Sequence, residues 1–398
     1  SSGPSSCAAW SLARGRDSPP SPMAPWIISP AADVFGFAIP LLLSFVITAC
    51  VRSIDPLSIP GYWWFLLGTC IDVAHVYGTL FRTVLDSEAT SQNWALYIVA
   101  GPGLLLVSLF VNMCLGVKVG WTLLAYYAMF HFAKQPYGLL CLYKVRMGES
   151  DVAEHCWDYW TCMLGALIPI LISHAPSEPR TRLRWFNAHE DFLFRLPPSA
   201  QTPLEALHVV VPVVWGMRLL WQCCVRGKQV NLGKVWIMAT QYIIWKFGSS
   251  EHLLTGLAFH NVCHGIASIV LVWHVVRVRL DTWRREHPST MKWVDKLNDA
   301  ALAAPWRYMT LMVALAILEE LGWEFFVNQE ILPDRGFDLP NFTERQQALA
   351  TSFLMLPQLS HYFLDCFIWK MALKNPGLRE AFLPADPSLV VKHGKKLS

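Results

Sequence analysis

The sequence is short of charge. Only 15% of its 398 residues are Asp, Glu, Lys or Arg, where a soluble domain carries about 25%. So little charge cannot coat a water-facing surface of this size, which excludes a disordered chain and argues against a soluble enzyme. A charge excess is missing too. The 32 basic and 29 acidic residues leave +3, and the basic ones sit in short clusters between apolar runs, so there is no case for nucleic acid as a partner. The 11 cysteines follow no disulfide or zinc-finger spacing. The nearest thing is the adjacent pair Cys223 and Cys224, while Cys70, Cys114, Cys156, Cys162, Cys263 and Cys366 lie in or beside apolar runs as small packing residues. There is no Cys-x-x-Cys-His site, no Gly-rich nucleotide loop, and no kinase or hydrolase motif. No internal repeat and no inverted symmetry of the transporter kind is visible.

What the chain has in quantity is apolar. Hydrophobic residues make up 54%, with 19 Trp, 21 Phe and 11 Tyr, and mean hydropathy is +0.34. This reads as an all-α, polytopic helical membrane protein with about ten transmembrane helices. The runs are 32–52, 60–81, 93–114, 119–143, 153–175, 204–225, 233–249, 255–279, 306–327 and 349–371, most of them reaching the ~20 residues that cross a bilayer. The run 233–249 is short, and reads as a little-tilted span or a buried re-entrant segment. Residues 1–22, rich in Ser, Pro, Gly and Arg and ahead of Met23, read as a flexible N-terminal segment, an expression scar or a mis-assigned start. Residues 23–374 read as one integral membrane domain and 375–398 as a cytoplasmic tail. The longest connections are 176–203, with an interfacial helix expected around Trp185 and Phe186, and 280–305. Arg82, Lys144, Arg146, Arg226, Lys228, Lys234, Arg277, Arg279, Arg284 and Arg285 collect on one side of a ten-span arrangement. The positive-inside rule then places both termini in the cytoplasm, and the expected location is a bacterial inner membrane.

Ionisable residues inside the hydrocarbon are costly and functional by default. Four runs carry them at helical spacing: Asp72 with His75; His131 with Lys134 and Gln135; His260 with Asn261 and His264; and His361 with Asp365. Residues three or four apart share a helix face, so each helix can turn its polar pair to a common centre. Neutral imidazole is the commonest metal ligand, and an all-nitrogen site suits Fe, Cu, Zn or Ni. The i,i+4 pair His260 and His264 is the most specific single signal, and His75 and His131 complete the expected set. His361 is a fifth ligand or a pocket residue. Asp72 and Asp365 are placed to orient a histidine or to ligate directly. Glu319, Glu320 and Glu324 add carboxylates, of which Glu320 and Glu324 share a face and could join a mixed site or pair with a cation. Each of these residues also has a bland reading as polar glue between helices. Lys134 reads as snorkelling to the cytoplasmic interface, with a Schiff-base lysine as the alternative. The aromatics beside the polar positions, Tyr77 and Tyr127 among them, would line a pocket for a lipophilic substrate, where a metal would activate dioxygen.

The order of the histidines resembles that of the Brp/Blh membrane carotenoid dioxygenases. In that family an early helix gives one His, a second gives another, and a later helix gives a pair four residues apart; here His75, His131, His260 and His264 follow that order over about 60–280. The resemblance implies a polytopic fold, a non-heme Fe(II) centre held by these four residues, and cleavage of beta-carotene at its central double bond. The surround Asp72-Val73-Ala74-His75-Val76-Tyr77-Gly78 departs from the His-Gly-x-x-Asp setting of the family, and the His361/Asp365 helix is an addition. The broader expectation is a membrane metal oxygenase on a carotenoid or lipid, with iron, or else zinc, copper or heme, as cofactor and a redox partner or a second copy as further partners. Di-iron desaturases fit less well, since there is one i,i+4 His pair and no adjacent His-His. Two alternatives stay open: a b-type heme protein clamped by two of these histidines, and a proton-relay transporter or structural subunit using the same intramembrane groups.

Overall fold

The computed structural model describes residues 25–56, 58–175, 193–249, 252–286, 291–334, 336–370, 375 and 377–382. The N-terminal segment 1–22, the interfacial helix expected around Trp185 and Phe186, and most of the tail 375–398 lie outside these residues. All ten apolar runs are helical, and the described residues contain no strand. The helices are α1 Pro30–Cys50, α2 Gly61–Arg82, α3 Ser87–Leu115, α4 Val117–Arg146, α5 Val152–Ser173, α6 Pro198–Arg226, α7 Leu232–Gly248, α8 Leu253–Arg285, α9 Trp293–Ala301, α10 Pro305–Asn328, α11 Ile331–Asp334, α12 Glu344–Leu354, α13 Leu356–Ile368 and α14 Leu378–Phe382.

Helix ends follow local chemistry. Asp86 caps α3 by accepting the Glu88 and Ala89 N–H groups at 3.0 and 2.9 Å, and Asp151 caps α5 through Ala153 N at 3.0 Å. Thr343 and Gln346 form a capping box on α12. Gly116, at φ 100°, turns the chain between α3 and α4 in a conformation that a side chain would oppose.

By length and composition six helices among the described residues are able to cross a membrane, and seven if α9 and α10, bent by 104°, form one broken span. Of the ten expected spans, six to seven are supported by this measure. Helix α4 has the length, with 30 residues, but His131, Lys134, Gln135, Lys144 and Arg146 make it too polar to count by hydropathy. Helix α7 has 17 residues, and the tenth run is split at Met355 into helices of 11 and 13 residues. The protein is thus an all-α polytopic membrane protein with six to seven candidate membrane-crossing helices. The connection 280–305 is itself largely helical. Within it α9 ties down the turn after α2, its Asp295 accepting from Ser87 Oγ at 2.7 Å and its Asn298 donating to Phe81 O and Leu85 O at 3.0 Å each.

Helix α2 sits at the centre, against α8, α10 and α13. The outer wall is visible from burial: 67% of the apolar stretch of α8 is covered by the rest of the bundle, against 17% for α3 and 11% for α6. The uncovered face of α6, with Val209, Val210, Val213, Met217 and Leu220 exposed, is the kind of surface that lipid covers.

One end of the bundle holds a buried ionic network. Lys144 and Asp158 pair directly, Lys234 reaches Asp158 at 3.5 Å and Glu149 at 2.8 Å, and Trp215 Nε1 donates to Asp158 Oδ1 at 2.8 Å. Lys144 and Lys234, read from sequence as loop charges, are therefore buried and paired. Breaking a buried pair strands its partner and costs about 3–5 kcal/mol, whereas exposed pairs contribute about 0–1 kcal/mol. Asp158→Asn is therefore expected to lower the melting temperature in detergent sharply, while Lys228→Ala, at the half-exposed Lys228–Asp151 pair, leaves it nearly unchanged. Equal melting points for the two variants would contradict this assignment.

Candidate metal centre

Helices α2, α4, α8 and α13 each deliver one histidine to the same point. His75, His131, His264 and His361 are all buried, and one nitrogen of each lies within 4.8 Å of the others. Local structure prepares this meeting. Widened π turns at Trp64–Val73 and Ala258–Val262 immediately precede His75 and His264; such turns re-aim side chains and gather at functional sites. Next to His264, Gly265 lets α8 lie against the α2 backbone: a Cβ there would fall 2.7 Å from Ile71 Cγ2 and 3.0 Å from Ile71 O.

The four Nε2 atoms form a closed ring. His75 to His361, His75 to His264 and His131 to His264 are each 3.1 Å, and His361 to His131 is 3.2 Å. The rings meet edge to face, at 69–84°. A neutral imidazole offers at Nε2 either one N–H or one lone pair, not both. Around a ring of four, protons can therefore satisfy at most two of the four contacts. One central cation satisfies all four. For edges of 3.1 Å the centre lies roughly 1.9–2.2 Å from each nitrogen, from tetrahedral to square arrangements, which brackets the usual metal–imidazole distance of about 2.0–2.1 Å. The donor set, its burial and its spacing all fit a transition-metal ion.

The flanking groups suit this reading. Thr79 Oγ1 is 2.7 Å from His361 Nδ1, a partner for the N–H that leaves Nε2 free to face inward. Asp72 Oδ1 is 3.5 Å from His75 Nδ1. Asp365 stands between two histidines, 3.8 Å from His361 Nδ1 and 3.9 Å from His131 Nε2. Both carboxylates are beside the cluster and outside its ring of nitrogens.

Several expected site residues are placed elsewhere. His260 is half-buried one turn before His264, and its corner of the cluster is taken by His361. Phe132 lies against both, 4.4 Å from the His264 ring and 6.0 Å from that of His260. His260 instead packs on Trp245 at 4.7 Å and against Gly248. Glu324 accepts the Ile331 and Leu332 N–H groups at 2.5 and 3.0 Å, which fastens the turn into α11. Glu320 accepts from Trp64 Nε1 at 3.2 Å. Tyr77 donates to Glu319 at 2.7 Å, and Glu319 also takes Trp323 and Gln358. Tyr127 packs edge-on to Tyr362 at 5.5 Å, and Tyr362 packs on His131 at 4.8 Å. The Lys134 ammonium rests over Phe130, Tyr137 and Tyr159. Sequence reasoning passed over Thr79, for which the only signal is its one-turn spacing from His75.

A cavity of about 180 Å³ opens beside the cluster, touching His131, Tyr362 and Asp365 and lined mostly by apolar side chains. A smaller one of about 40 Å³ lies between Phe132, Trp245, His260 and His264.

No family model, no curated protein and no solved structure matches the chain. The buried four-histidine cluster in a membrane-spanning helical bundle is consistent with a Brp/Blh-like four-histidine metal site, with His361 standing where His260 was expected. The geometry separates the two. Elemental mass spectrometry on detergent-purified protein is expected to find about one metal ion per chain, lost in His264→Ala and in His361→Ala and retained in His260→Ala. Loss in His260→Ala with retention in His361→Ala would reverse the assignment.

Proposed function

We propose that the protein is a membrane-embedded non-heme metal oxygenase acting on a lipophilic substrate that enters from the bilayer. The observation that carries this reading is the closed ring of four buried imidazole nitrogens beside a largely apolar cavity. His75, His131, His264 and His361 would hold the ion, and iron as Fe(II) would supply redox chemistry toward dioxygen. Thr79 and the two aspartates orient the imidazoles. Asp365, which also lines the cavity, can hold a proton between the cluster and the bound substrate. Tyr362 walls the cavity next to His131, and Tyr127 fixes Tyr362 from behind. Tyr77 positions Glu319 and does not face the cavity. The apolar walls exclude water, which prevents side reactions and strengthens every interaction inside.

The site also favours a non-heme centre over a b-type heme. Two axial histidines need a porphyrin between them, and here the other two imidazoles occupy that plane at 3.1–3.2 Å. Carotenoid cleavage remains the first substrate to try, on the resemblance of the histidine order, within a wider class of alkyl lipids and quinones. The clusters of Arg226 with Lys228 and of Arg284 with Arg285 favour a cytoplasmic position for those loops.

The test is oxygen uptake by metal-depleted protein reloaded with Fe(II) or Zn(II), in the presence of beta-carotene or a lipid panel, with an absorption spectrum on the same samples. Uptake that follows iron and not zinc, with no Soret band, is the expected result. A Soret band on the purified protein, or no iron-dependent uptake with any lipophile, would overturn the proposal. Thr79→Val is expected to weaken metal binding by about 10–100-fold, the usual effect of losing a partner behind a ligating histidine, measured by competition with a chelator.

A further inference from the structure

The ring histidines differ in what stands behind them. Thr79 Oγ1 is 2.7 Å from His361 Nδ1, and Asp72 Oδ1 is 3.5 Å from His75 Nδ1. His264 turns Nε2 into the ring, 3.1 Å from His75 and from His131, so as a ligand it carries its proton on Nδ1. That Nδ1 is buried and meets no hydrogen-bond partner among the described residues. A buried donor left unpaired is costly, and ligating imidazoles almost always give this N–H to an oxygen.

The smaller cavity, of about 40 Å³, supplies such oxygens. His264 is the one member of the ring that lines it, and Thr240 and Gln241 of α7 line it too. His264, Thr240 and Gln241 are only 6%, 8% and 0% exposed. Thr240 Oγ1 and Gln241 Oε1 are buried and, among the described residues, likewise have no hydrogen-bond partner. The Gln241 amide is held in one orientation. Its Nε2 donates to Cys162 O at 3.2 Å and Ala133 O at 3.5 Å, which leaves Oε1 as the accepting end. The other walls are mostly apolar and offer little competition. The space exceeds the roughly 10–15 Å³ that one water needs, and a buried water makes about three hydrogen bonds. One donor and two acceptors match a water that accepts once and donates twice.

We propose that this cavity is a built water site, in which one buried water accepts the His264 Nδ1–H and donates to Gln241 Oε1 and Thr240 Oγ1, making Gln241 a positioning residue for the metal centre. Helix α7, which delivers no ligand, thereby fixes the tautomer and the direction of a ligand on α8. The water holds the proton on Nδ1, so the Nε2 lone pair faces the ring. The proposal rests on the reading of the four nitrogens as a metal centre and needs no turnover.

The experiment measures the affinity of the detergent-purified full chain for Zn(II), which binds imidazole without redox chemistry, by competition with a chelator. The melting point is recorded for every sample. Gln241→Leu and Thr240→Val each remove one acceptor at nearly constant volume, and Thr240→Ser keeps the hydroxyl. Gln241→Leu is expected to weaken zinc binding by about 10–100-fold. Thr240→Val should weaken it less, and Thr240→Ser should match the wild type. A water-resolving crystal or electron-microscopy map of the wild type is expected to show one ordered water within hydrogen-bond distance of His264 Nδ1, Gln241 Oε1 and Thr240 Oγ1. This second measurement stands even where Gln241→Leu does not fold. Tight zinc binding that is unchanged in folded Gln241→Leu and Thr240→Val, or a map with no water there, would sink the proposal and leave the metal centre standing. A loss in Thr240→Val that Thr240→Ser does not restore would make the effect one of packing and overturn it as well. Wild-type protein with no affinity for zinc or any other transition metal would remove the metal centre itself, and the proposal with it.

Discussion

Four imidazole nitrogens held 3.1–3.2 Å apart in a closed ring cannot all be satisfied by their own protons. That constraint organises the rest of the bundle. Side chains from four helices must be pressed to one point, so α2 has to be central and α8 has to approach it at backbone distance, which Gly265 permits. The π turns ahead of His75 and His264 set the direction of those two rings. Helices that deliver no ligand, such as α6, are free to be simple: apolar, outward-facing and little covered by their neighbours.

Two of the polar regions among the described residues obey different rules. At one end of the bundle, Lys144, Lys234, Asp158 and Glu149 pair with one another, and Trp215 and Asn231 supply further hydrogen bonds to the carboxylates. Each charge there answers another charge of the same chain, so the network fixes the packing of α4, α5 and α7. At the histidine cluster and its cavity the groups face a shared space. Four imidazole nitrogens look inward from four different helices, as polar groups do where they converge on a binding site.

Much of this was legible in the residues. Long apolar runs gave the helices, and ionisable groups inside those runs marked His75, His131, His264 and His361 before any geometry was known. The corner of the ring that His361 fills is the least legible, because an i,i+4 pair on one helix is the strongest local signal that a sequence can give, and it favours His260. Which ring fills the corner depends on Phe132 and Trp245, from two other helices, and no spacing rule reaches across helices. Six to seven of the ten runs, and not all ten, give helices long and apolar enough to cross a membrane, for a related reason. Apolar run length does not show where a helix bends, although Pro357, near the start of α13, is a readable sign that the last run is broken there. Lys144 and Lys234 looked like loop charges because their partner, Asp158, stands on another helix.

The position of His361 has a consequence for assembly. Three donors lie on helices made early or midway along the chain, while the fourth is on α13, a short helix separated from α12 by the break at Met355. Chains are synthesised and inserted from the N-terminus, so a nascent or truncated chain ending before α13 has only three of the four nitrogens. The centre closes only when the last helix docks. A metal ion held by all four nitrogens would therefore report that the last helix has docked.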